Sequence, residues 1–143
     1  MRIDLATVCD YAIIDQYGKL SILGIFSHIW VAQFPAVHPR MHLVLHLKGR
    51  RTEIGEHTVR IRFTDDQGSE LINGDGTVNF NEPPAGVLEI AAGTVLVFDV
   101  PFPHAGTYTF DVTVDGAIRA EIPITVAQSP HPIVPPPRAT GLH

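Results

Sequence analysis

The sequence predicts an all-β fold: an antiparallel β-sandwich, immunoglobulin-like or a close variant, with seven to nine strands. Three observations predict it. Thr107 to Val114 alternates strictly, with Tyr108, Phe110, Val112 and Val114 on one face and Thr107, Thr109, Asp111 and Thr113 on the other; a period of two marks a half-buried strand. Ile118, Ala120, Ile122, Ile124 and Val126 continue that pattern beyond Asp115-Gly116. Two such strands cannot bury their apolar faces alone, so the rest of the chain must supply a facing sheet. Lastly, no segment carries a long 3.6-residue period and no internal repeat is present.

The elements follow in order. Residues 2–14 and 20–32 read as two long strands joined by the turn Asp15-Gln16-Tyr17-Gly18-Lys19. Their β-branched content, with Gly18 and Gly24, argues against helix. In the first, Ile3, Leu5, Cys9, Tyr11 and Ile13 oppose Ala6, Val8, Ala12 and Ile14; in the second, Leu20, Ile22, Phe26 and Trp30 oppose Leu23, Ile25, Ile29 and Val31. Both faces are apolar, so something must cover the outer one: the proline-rich tail, residues 81–93 or a second copy of the chain. Residues 34–39 form a proline-bounded crossover. Strand 40–48 points Met41, Leu43, Leu45 and Leu47 to one side, and a polar loop covers 49–56. Strand 57–64 points Val59, Ile61 and Phe63 inward and Arg60 and Arg62 outward. After the turn Asp65-Asp66-Gln67-Gly68, a poorer strand over 71–80 is interrupted by Asn73-Gly74-Asp75-Gly76. A loop with Pro83-Pro84 leads to a short strand at 87–91 and a better one at 94–100.

The last hairpin permits a register argument. A two-residue Asp115-Gly116 turn would drive Arg119 and Glu121 into the core. A three-residue loop, Val114-Asp115-Gly116, keeps them outside and pairs Val112 with Ile118, Phe110 with Ala120 and Tyr108 with Ile122. That loop is preferred, with Gly116 in the left-handed position of a G1 bulge.

At 143 residues and 45% hydrophobic, the chain holds one domain with a real core. Residues 1–127 form the sandwich and 128–143 a proline-rich tail, with a Pro-x-x-Pro spacing at Pro132 and Pro135. The net charge of −5 speaks against non-specific nucleic-acid binding, so no nucleic-acid partner is expected. Cys9 is the only cysteine, which excludes an intrachain disulfide and fits a reducing compartment. Asp4 and Asp10 spoil a signal-peptide core, and the apolar run 20–34 is interrupted and too short to span a bilayer. A cytoplasmic protein without a membrane partner is expected.

Two resemblances add to this. Ala105-Gly106-Thr107-Tyr108-Thr109-Phe110 resembles the entry to the penultimate strand of immunoglobulin-like sandwiches, where Gly-x-Tyr forms a tyrosine corner. Phe110 stands where a cysteine is common, and the Cys–Trp–Cys framework is missing. More broadly, CDYAIIDQYGKLSILGIF (9–26), FPAVHPRMHLVLHL (34–47) and VPFPHAGTYTFDVTVDG (100–116) resemble a bacterial family of small β-sandwich proteins of uncharacterised function. That resemblance implies a stand-alone bacterial sandwich and carries over no site residues.

The candidate sites are few. His42 and His46 have a helical metal spacing, but on a strand they stand roughly 13 Å apart and cannot share an ion. Adding His28, His38 or His104 would be needed, and the solvated reading is preferred. No metal and no cofactor is expected. Asp65, Asp66 and Asp75 lack calcium-loop spacing and suit turns. Cys9, inside an apolar strand, reads as a buried inert thiol. Lys48, Arg50 and Arg51, with Arg60, Arg62, His42 and His46, would form a cationic surface on one sheet, able to take an anion. Tyr17 and Trp30 are the aromatic platforms available to a sugar. No catalytic residue is assigned. The expected function is a non-enzymatic binding or assembly module, with a protein partner or self-association through Ile29 or Trp30. The alternatives are a small-ligand or carbohydrate-binding sandwich and a His-ligated metal-dependent enzyme.

Overall fold

The computed structural model describes residues 1–130. The expected proline-rich tail, from residue 131 onward, lies outside them. Among the described residues there are nine strands: β1 (Arg2–Ile14), β2 (Leu20–Ile25), β3 (His28–Val31), β4 (Ala36–Arg50), β5 (Gly55–Thr64), β6 (Glu70–Phe80), β7 (Glu89–Phe102), β8 (Gly106–Val114) and β9 (Ile118–Gln128), with one 3₁₀ turn at Arg51–Glu53. They build a four-stranded sheet in the order β2-β1-β4-β7 and a five-stranded sheet in the order β3-β9-β8-β5-β6. The sheets face each other as a sandwich. Every pairing is antiparallel except β3 on β9, which is parallel.

The core is the set of inward side chains that alternation marks. Met41, Leu43, Leu45 and Leu47 of β4 meet Val59, Ile61 and Phe63 of β5 and Tyr108, Phe110, Val112 and Val114 of β8. The ring of Phe63 lies 4.4 Å from Phe110 and 5.5 Å from Tyr108, centroid to centroid. The Tyr108 hydroxyl donates to the His104 carbonyl at 2.6 Å and accepts the His104 N–H at 3.2 Å. This is the corner that Gly106-x-Tyr108 predicts, and it gives a buried phenol both of its partners.

Several expectations are corrected. Residues 20–32 are two strands, not one: the chain leaves the four-stranded sheet at Phe26-Ser27, and β3 joins the other sheet. A bulge between Ile3 and Leu5 shifts the alternation of β1. Ile3 therefore joins Ala6 and Val8 on the core side. The proline-bounded segment 34–39 belongs largely to β4, and Arg40, at φ 51°, marks a register shift between His38 and Met41. Asn73-Gly74-Asp75-Gly76 runs through β6 without a break. A Cβ on Gly76 would sit 3.1 Å from Leu96 of β7, so its lack of a side chain lets the two sheets close at that edge. The segments 87–91 and 94–100 are one strand, β7.

In the last hairpin the core side is as predicted, but the pairing is displaced. Val114 faces Ile118, Val112 faces Ala120, Phe110 faces Ile122 and Tyr108 faces Ile124. Asp115 (φ 52°) and Gly116 (φ 70°) both take left-handed conformations, and the Ala117 N–H closes the turn on the Val114 carbonyl at 3.1 Å. The turn is the primed type favoured by Asp-Gly. Ala117 is the additional residue that keeps Arg119 and Glu121 outside.

Candidate functional site

The apolar outer face of the β1–β2 hairpin is covered in part by the hairpin itself. Its end lies across the outer face of its own sheet, where Ala12, Leu20 and Ile22 pack with Cys9, Val44 and Val95. Ile14 reaches β7, with its Cδ1 3.3 Å from the place a Cβ on Gly93 would take. Val44 is thereby fully buried although it points away from the sandwich core. Among the described residues, the other side of the hairpin is covered only where the Tyr11 ring packs on His42. Tyr11 (51% exposed) pairs with Leu23 (67%), and Ile25 (62%) and Ile13 flank them on the same face. Trp30 and Ile29 are elsewhere. Ile29 packs on the core, while Trp30, opposite Ala127 on β9, is exposed at the edge of the five-stranded sheet.

The predicted cationic residues do not form one stripe. His42, His46 and Lys48 lie on the outside of the four-stranded sheet; Arg60 and Arg62 lie on the outside of the five-stranded sheet. His42 is buried under Tyr11 and donates from Nδ1 to the Arg40 carbonyl at 2.8 Å. His46 pairs with Asp4 at 3.1 Å. Arg60 is paired with Asp75 and Arg62 with Glu70, at 3.3 and 3.1 Å, and Arg119 binds Asp111 and Glu121 at 2.7 and 2.8 Å. The outside of the five-stranded sheet is thus a neutralised, solvated lattice of charges.

Lys48, Arg50 and Arg51 do come together, at one end of the sandwich. With Arg2, Leu88 and Glu89 they line an open cleft of about 720 Å³. Arg51 is pinned there by its donors to the carbonyls of Pro84 at 3.1 Å and Val87 at 2.9 Å, which tether the 81–88 loop. Sequence reasoning missed Arg2, Leu88 and Glu89, since only the β1–β4 and β4–β7 registers bring them beside Lys48 and Arg50.

The histidines are dispersed. His28 contacts Ser27, and His38 stacks on Phe26. Asp65, Asp66 and His104 place three donor atoms within 4.8 Å of one another. Asp65, however, already accepts the N–H groups of Gln67 and Ser69 and faces His104 at 3.4 Å, so its carboxylate shapes the β5–β6 turn. The turn N–H groups and His104 hold that carboxyl below its ordinary range against the opposing pull of burial. Cys9 is fully buried, and burial pushes its thiol pKa up, away from nucleophilic thiolate. Tyr17 stands in the β1–β2 turn and Trp30 on β3, so the two aromatics belong to opposite sheets.

Among the described residues, no helix is long and apolar enough to cross a membrane. Comparison with curated proteins returns no match. The profile of a family of unknown function, DUF6941, matches residues 4–127, nearly the whole sandwich, and the chain belongs to that family.

Proposed function

We propose that this protein is a non-enzymatic assembly module that pairs with a second copy of itself through the β1–β2 hairpin. The observation that carries the reading is the largely uncovered apolar face of Tyr11, Ile13, Leu23 and Ile25 beside an unguarded sheet edge. Edge strands are ordinarily blunted by charge, proline or shortness. β6 carries Glu70 and Asp75, β7 carries Glu89, Asp99 and Pro101, and β3 is four residues long. β2, Leu-Ser-Ile-Leu-Gly-Ile, has no charge and no proline. Antiparallel pairing of β2 with its copy about a two-fold axis would satisfy both edges and bring the two apolar faces side by side. The sequence features of a bacterial cytoplasmic protein accompany this reading.

Sedimentation of the full chain tests it. A dimer is expected at roughly tens of micromolar, and Leu23→Asp should return it to monomer without a change in melting behaviour of the monomer. A wild-type monomer at that concentration removes the reading.

A further inference from the structure

We infer that the cleft between the ends of β1, β4 and β7 is a binding site for a small organic oxyanion, a phosphate or carboxylate group carried on an apolar body. The register sets Arg2 directly opposite Lys48, a like-charge cross-strand pair. Such a pair is unfavourable unless negative charge lies between or above it. The acids at hand compensate weakly. Arg2 approaches Glu89 at 3.5 Å, Lys48 approaches Asp4 at 3.9 Å and Arg51 approaches Glu82 at 3.8 Å. The ion pairs on the five-stranded sheet close to between 2.7 and 3.3 Å, and among the described residues of the cleft only the Met1 ammonium is held as tightly, by Glu53 at 2.9 Å, so Arg2, Lys48 and Arg51 are the loosely compensated cations there. The Arg50 side chain, exposed beside the cleft, meets no acid among the described residues, and Glu89 is the one carboxylate lining the walls.

The cleft also has the dimensions and the second surface a small ligand needs. Its volume of about 720 Å³ falls within the range of small-molecule pockets. Leu88, 77% exposed at its rim, and the alkyl stems of Arg2 and Lys48 supply apolar wall. An anion entering there would accept from Arg50, Arg2 and Lys48 while its body rested on Leu88. Arg51 is committed to the loop carbonyls and so holds the opposite wall in place.

Phenyl phosphate and benzoate, with inorganic phosphate as a body-free probe, are titrated into the full chain at low ionic strength, and amide shifts are followed by NMR. Saturable shifts confined to the cleft residues Arg2, Lys48, Arg50, Thr52 and Glu89 are expected with at least one of the two aromatic anions, and weaker binding with inorganic phosphate. A response to phenyl phosphate alone makes the site one for phosphate; a response to benzoate alone makes it one for carboxylate. Arg50→Gln should weaken binding about tenfold, the loss of one charge-assisted hydrogen bond. Arg60→Gln, on the far sheet, should leave it unchanged. Shifts that do not saturate, or that both variants affect equally, overturn the inference.

Discussion

His57 donates from both ring nitrogens, to the Asp115 carboxylate at 2.5 Å and to the Glu53 carbonyl at 2.7 Å. An imidazole does this only when protonated. The Asp115 carboxylate, and then the Glu53 carbonyl, raise its pKa above the ordinary 6.5, and His57 in turn lowers that of Asp115. The signs follow. His57 contributes its full stabilisation below about pH 6.5 and loses it as pH rises through the raised folded value; Asp115 contributes above about pH 4 and loses it on acidification. Stability is therefore expected to fall as pH rises above about 6.5 and through the raised folded value of His57, by on the order of 1 kcal/mol, a figure reduced for the partial exposure of Asp115. Asp115→Asn keeps a residue that accepts φ > 0 and can still bind the Thr58 N–H, yet removes the charge. Denaturant titrations across that range should show a flatter profile for the variant; equal slopes would refute the pairing. Nothing local announces this contact, because 58 positions separate its two residues. Tyr108 was legible because its corner is built within four residues.

At the scale of the element, alternation located β4, β5, β8 and β9, since each buries one face against a single facing sheet. It failed where the chain changes partners. Leu20 to Val31 is apolar apart from Ser21, Ser27 and His28, and the pattern does not record that Phe26-Ser27 carries it from one sheet to the other. It failed again at Asp4, where a bulge moves Ile3 to the core side. It also gave no sign that the hairpin's end would fold over its own sheet. That packing yields a test. Val44 and Val97 both lie on the outer face of the four-stranded sheet, but only Val44 is beneath the hairpin. Val44→Ala is expected to cost about 2 kcal/mol of unfolding free energy, the loss of two buried carbons plus a cavity. Val97→Ala is expected to stay within about 0.5 kcal/mol. Similar losses at both positions would show that the hairpin does not cover Val44.

At the scale of the whole molecule, the sequence made the sandwich readable, because core alternation and turn punctuation are local; the total of nine strands agrees because the split of residues 20–32 and the fusion of 87–91 with 94–100 cancel. What it could not reveal was which outer surfaces the fold covers. The cations of the five-stranded sheet are neutralised in place, while those at the other end converge on a cleft. The surplus apolar surface of the first hairpin is covered in part by folding back, and the remainder borders an edge strand without the usual guards. Amide hydrogen exchange of the full chain over a range of protein concentration reads edge-to-edge pairing through β2. Between about one and a hundred micromolar, protection of the Leu20–Ile25 amides should rise with concentration while the β8 amides stay constant. Protection of β2 that is the same at every concentration would contradict it.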